Sequence, residues 1–184
     1  MQTAVTTTTC LLMLVCHSVF GQESKKVQEP QYVGIISFLN SDTGELLALE
    51  RQTPMVQTKA KAFGFGGAKR TMEINGEKSP NRITMGQQLI FIVRVVDVHQ
   101  DPAGTIALMP FQSKNGKRAN ELAKVNAIGR VSLSSSISFD ADVSRYGESS
   151  LKIKLTTNIP AGEYCIRHVD SPRFFCFGID RLKK

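Results

Sequence analysis

The chain has 184 residues, a formal net charge of +7, 41% apolar and 21% charged residues, no tryptophan and four cysteines. That is too apolar for a disordered tail, too poor in cysteine for a dense disulfide scaffold, and without the periodic glycine of a collagen. The length suits one domain, and no apolar run reaches the roughly 20 residues of a membrane-spanning helix.

Residues 10–20 form a short apolar run, followed by Gly21-Gln22 before charges begin at Glu23. The run matches the core of a signal peptide, with Val19 and Gly21 at the −3 and −1 positions of a cleavage site. One usual feature is missing, since residues 1–9 hold no Lys or Arg. We therefore expect a signal peptide over 1–21, a flexible lead-in over 22–30 and a single domain over 31–184. Such a chain is exported, to the periplasm, the cell surface or the medium. Cys10, Cys16 and His17 leave with the leader, and the positive charge stays with the remainder.

From Tyr32 onward the apolar period is two. Tyr32–Leu39 and Leu89–Val96 are apolar on both faces and read as central strands. Asn40-Ser41-Asp42-Thr43-Gly44 reads as an exposed turn between strands. Its Asp-Thr-Gly spells the aspartic-protease triplet but lacks the apolar strand before it and the small residue after it. Asn75-Gly76 and Asn115-Gly116 are hairpin dipeptides, because Asn and Gly tolerate the positive φ of a tight turn. Asp101–Gly104 and Pro160–Gly162 supply further breaks. Arg118–Val125 reads as a helix or as the return strand of the Asn115-Gly116 hairpin, with strand preferred. Val131–Val143 alternates apolar and Ser/Asp residues, one buried and one wet face, and its length calls for a bend or bulge. Leu151, Ile153 and Leu155 alternate with Lys152 and Lys154. Roughly nine to eleven short strands at this spacing predict an all-β fold, an antiparallel β-sandwich of immunoglobulin-like or prealbumin-like type.

Cys165 and Cys176 flank Val169-Asp170-Ser171-Pro172. If those four residues form a hairpin loop, His168 faces Arg173 and Cys165 lies opposite Cys176, placed for a disulfide that stabilises by roughly 2–3 kcal/mol. The competing reading is two free thiols on opposite faces.

The segment Ile159-Pro160-Ala161-Gly162-Glu163-Tyr164 resembles the turn-into-strand of secreted β-sandwich modules, including carboxypeptidase regulatory-like (prealbumin-like) domains. The resemblance implies that the Tyr164 hydroxyl bonds backbone near the corner. Phe175–Asp180 and Ala62–Lys69 are similar to segments of uncharacterised exported bacterial β-sandwich proteins. Together these motifs touch about a fifth of the chain. They imply a fold and a compartment and carry no active site.

The most basic stretch is Lys59–Arg70, with no acid between residues 51 and 72. Its glycine run has neither Walker nor dinucleotide-fingerprint spacing, and reads as a strand or bulge where another backbone packs closely. Lys59, Lys61, Lys69 and Arg70 with Phe63 and Phe65 form the candidate ligand-binding surface, set against the plainer reading of a solvated face. Metal ligands lack motif spacing: His99 and His168 stand alone, and Asp97–Asp101 and Asp140/Asp142 match no calcium loop. No Gly-x-Ser-x-Gly elbow occurs. We expect no catalytic residues, no metal and no cofactor. The function expected is a non-catalytic exported binding or structural module of the cell envelope that binds a protein or an anionic polymer, with no nucleic acid partner and no membrane span. The alternative is a small envelope hydrolase using His99 or His168 as base.

Overall fold

Fourteen strands and no helix make up the described part of the computed structural model, which covers residues 27–60, 67–99, 106–126, 128, 130–133, 137 and 139–182. The proposed leader lies outside these residues. One sheet has five strands: β1 (Ile36–Leu39), β2 (Leu46–Ala48), β7 (Ile90–Arg94), β11 (Ala141–Tyr146) and β12 (Ser150–Leu155), ordered β11-β12-β7-β1-β2. The other contains β3 (Glu50–Gln52), β4 (Met55–Ala60), β5 (Ala68–Asn75), β6 (Arg82–Thr84), β8 (Ile106–Lys114), β9 (Lys117–Val125), β10 (Val131–Leu133), β13 (Gly162–His168) and β14 (Phe174–Asp180). Its path is β3-β14-β13-β8-β9-β5-β4, with β10 added beside β9 and β6 beside β14. Every pairing is antiparallel except β6 with β14.

The sheets face each other across one core, giving the antiparallel sandwich. Ile36, Phe38, Phe91 and Val93 of the five-stranded sheet meet Leu108, Tyr164, Ile166, Phe175 and Phe177 of the other. The Phe91 and Phe177 ring centroids lie 5.3 Å apart, and Phe177 stacks on Tyr164 at 5.9 Å. Each such ring, fully buried, contributes about 1.5–3 kcal/mol. The Tyr164 hydroxyl donates to the Pro160 carbonyl at 2.8 Å, tying the strand to its entry turn.

A second core lies on the other face of the nine-stranded sheet, where Ile74, Met109, Phe111, Phe174 and the Cys165/Cys176 pair cluster. That face is buried because the sheet curls. Its two end strands, β3 and β4, are consecutive in the chain with only Thr53-Pro54 between them. Proline has no N–H for the ladder and frees the chain to change partners, from β14 to β5. β13 and β14 are consequently buried on both faces. Cys165 pairs with Cys176 in register, and their Sγ atoms stand at bonding distance, 2.06 Å.

Buried charge closes the curl. Arg118 on β9 is 1% exposed and reaches across to Glu50 on β3 in two parallel bonds of 2.8 Å. Its remaining donors reach the Gly76 carbonyl at 3.1 Å and the Asn75 carbonyl at 3.3 Å. Burial pushes the Glu50 carboxyl up, but Arg118, Ser79 and Gln52 outweigh it and hold it below its ordinary value. Glu163 lies 4.0 Å from Arg118, accepts the Ser79 amide at 2.8 Å, and pairs with Arg82, which also pairs with Asp180. The Arg82 guanidinium passes over Gly178, where a Cβ would sit 1.7 Å from its Nη1. A side chain there would have to push the guanidinium away from Glu163 and Asp180.

Several sequence expectations need correction. There are fourteen strands rather than nine to eleven, because long runs are cut short. Tyr32 and Val33 are exposed and precede a turn at Gly34 (φ 76°), so the first strand starts only at Ile36. Asn115-Gly116 does form a two-residue hairpin with φ values of 52° and 76°. Asn75-Gly76 does not: β5 pairs with β4 and β9, and the chain leaves toward β6. The odd residues of 131–143 do not share one buried face. Val131 and Leu133 are 63% and 77% exposed on β10, whereas Ile137, Phe139 and Ala141 pack on the core.

The end of the lead-in is anchored. Glu29 accepts the amides of Glu148 at 2.7 Å and Ser149 at 3.0 Å and the buried Ser150 hydroxyl at 2.6 Å, while Arg94 donates to the Pro30 carbonyl at 2.9 Å. Partial burial raises the Glu29 carboxyl, but these donors and Arg94 outweigh it and leave it below its ordinary value.

Two predictions follow from these charges. Arg118→Ala strands Glu50 without its counter-ion and costs about 3–5 kcal/mol in denaturant unfolding, whereas Arg118→Met combined with Glu50→Leu recovers most of the loss. Glu29→Gln lowers Tm at pH 7 by about 2–4 °C and speeds hydrogen exchange at the Glu148 and Ser149 amides. Because the folded-state carboxyl is depressed, its contribution is present above the unfolded value of about 4.3 and lost as pH falls through the folded one. The Tm difference between wild type and Glu29→Gln therefore narrows as pH falls below about 4.3 and closes below the depressed folded-state value.

Candidate functional site

The inter-sheet face of the nine-stranded sheet extends beyond the five-stranded sheet. Alternation along β8 puts Leu108 in the shared core and Pro110, Gln112 and Lys114 on the same face farther along. Register then carries the face outward: Gln112 pairs with Ala119 and Lys114 with Lys117 on β9. Ala119 pairs with Glu73 on β5, which pairs with Met55 on β4. This extension is polar, and its Lys59, Lys69, Gln112 and Lys114 are exposed. Two adjoining depressions of about 450 and 430 Å³ lie on it, and both are lined by Lys69, Thr71, Lys114 and Ala119.

Lysines dominate this face. Lys59 is registered opposite Lys69, and Lys69 opposite Lys124, so three adjacent strands carry one cationic row. Lys114 and Lys117 form a second pair at the hairpin end. Two acids stand between. Glu121 pairs with Lys69, which holds its carboxyl below the ordinary value, and Glu73 accepts from Lys117 at 3.0 Å. Like charges directly opposite on neighbouring strands repel, and Glu121, drawn to both Lys69 and Lys124, offsets that repulsion.

The structure thus brings together two members of the sequence-derived surface, Lys59 and Lys69. Arg70 lies on the opposite face of β5 with Met72 and Ile74, cross-strand from Thr58. Lys61, Phe63 and Phe65 lie outside the described residues. Gly67 (φ 82°) fits the close-backbone reading of the glycine run, since a Cβ there would meet the Val125 carbonyl oxygen at 2.0 Å. Lys114, Lys117 and Lys124 belong to the face and were not singled out by sequence. The Asn115-Gly116 hairpin places Lys114 opposite Lys117, and only that pair had a local signal.

The two histidines stand elsewhere. His99 is exposed on a loop, with its amide on Asp97 Oδ1 at 2.9 Å. His168 closes β13, its Nδ1 4.0 Å from the exposed Asp170 carboxylate. Among the described residues neither ring is bonded to a side-chain hydroxyl, and no group of three or more His, Cys, Asp or Glu is placed to hold a metal ion. Asp101 lies outside the described residues. Asp42-Thr43-Gly44 forms an exposed turn, with the Gly44 amide on the Asn40 carbonyl at 2.8 Å. No family model, curated protein or solved structure matches the chain.

The electrostatic strain of the lysine row is measurable. In a Glu121→Gln background, Lys124→Gln should raise stability in low salt by about 0.2–1 kcal/mol, and the gain should fade as salt screens the row. Equilibrium unfolding at two ionic strengths checks this, and a loss of stability would contradict it.

Proposed function

We propose that the protein is an exported, non-catalytic β-sandwich module of the cell envelope that binds an anionic polymer on the lysine-bearing face of β4, β5, β8 and β9. The observation that carries this is the registered row Lys59–Lys69–Lys124, with Lys114 and Lys117 beyond it. Four lysines, Lys59, Lys69, Lys114 and Lys117, and two glutamates line the two adjoining depressions there, and Lys124 stands beside Lys69 on the next strand. Export is supported by the apolar run over 10–20 and by a cysteine pair at bonding distance, which suits an oxidising compartment. No helix among the described residues is long and apolar enough to cross a membrane.

Titration with polyanions at 50 and 200 mM salt tests this reading. Binding should weaken steeply with salt, and the triple variant Lys59→Ala, Lys114→Ala, Lys124→Ala should lose about tenfold or more in affinity while remaining folded. Polyanion binding unchanged in the triple variant overturns the surface. Capture from envelope extracts of a protein that polyanions do not displace would favour a protein ligand instead.

A further inference from the structure

We infer that the polymer is a hydroxyl-rich polyanion, an acidic polysaccharide bearing carboxylates, lying across the strands along the lysine row. The inference rests on the binding-surface reading above and adds the ligand's class.

Three features of the face discriminate among polyanions. The row runs perpendicular to the strands, so successive lysine stems are set about 4.8 Å apart, close to the length of one pyranose unit. Three cations in register therefore match a polymer with about one charge per sugar better than one with charges packed along a phosphate chain.

The acids point the same way. Glu73 and Glu121 lie among the lysines and are acceptor-only groups. A bare polyphosphate brings only acceptors and meets repulsion there. A saccharide brings hydroxyl donors, which those carboxylates can accept while the lysines take the polymer's own carboxylates. Gln57, Thr71 and Gln112 add neutral hydrogen-bonding side chains suited to hydroxyls.

Third, the cations among the described lining residues are lysines throughout. Planar, bidentate phosphate recognition favours the arginine fork over the lysine point charge. Three arginines of this chain, Arg82, Arg118 and Arg167, are instead committed to internal partners.

Competition at fixed ionic strength tests the class, using the full chain and polygalacturonate, linear polyphosphate of matched charge, an oligothymidylate and neutral dextran. Polygalacturonate should bind about tenfold tighter per charge than polyphosphate, with dextran silent. Glu73→Ala with Glu121→Ala should narrow that ratio by strengthening polyphosphate more than polygalacturonate. Polyphosphate or oligothymidylate binding as tightly as polygalacturonate, still abolished by the triple lysine substitution, overturns the saccharide and leaves the binding surface standing. Binding of none of the polymers, or binding indifferent to the triple substitution, overturns both.

Discussion

The fold depends on a guanidinium buried where no water reaches it. Arg118 would be costly inside an apolar curl on its own. It is tolerated because Glu50 takes it in bidentate fashion and two carbonyls of the Asn75-Gly76 turn absorb remaining donors. The pair joins strands that lie four steps apart along the sheet path, so it acts across the curl and not along a ladder. From there charge alternates outward through Glu163 and Arg82 to Asp180 near the surface. The ion pairs join strands that no ladder connects, while the phenylalanines supply the bulk of the burial.

Once curvature is set, the position of the candidate site follows. The five-stranded sheet covers the part of the nine-stranded sheet that carries Leu108, Tyr164 and Phe177. The same face then continues over β9, β5 and β4 with nothing of that sheet above it. One side of the sheet is therefore core at one end and lysine-bearing surface at the other. The residue at which β8 changes character is Pro110. It has no N–H to give β9, its carbonyl is taken by the Asn120 side chain at 2.6 Å, and β8 and β9 are registered only beyond it, from Gln112 to Lys114.

How much of this was readable beforehand divides by distance along the chain. Local patterns were readable: the period of two, the Asn115-Gly116 hairpin, the Cys165/Cys176 register and the Tyr164 corner each need only neighbouring residues. What failed needed knowledge of partners. Asn75-Gly76 has hairpin chemistry, yet its carbonyls serve Arg118, a residue 42 positions on. Val131 and Leu133 alternate like buried residues, yet β10 is a short strand added beside β9, and its apolar side chains stay wet. The lysine row falls in the same class. Lys59, Lys69 and Lys124 come into line through two strand pairings, the second containing a bulge at Arg70/Thr71, and no spacing in the sequence encodes that.

The Cys165–Cys176 pair has a consequence for the order of folding. Its partners are separated by 11 positions, within one hairpin, whereas the charge contacts around it span 68 (Arg118–Glu50), 98 (Arg82–Asp180) and 121 (Glu29–Ser150). Closing a loop of about ten residues takes on the order of 10–100 ns, and long-range pairing is far slower. The two cysteines can therefore meet before any of the distant contacts exist, and their register needs no help from the rest of the chain. The β13–β14 hairpin can thus form first, and the covalent bond follows on the slower timescale of thiol oxidation. β8, β3 and β6 would then dock on an edge already in its final alignment, the slowest steps starting from a template and not from open chain.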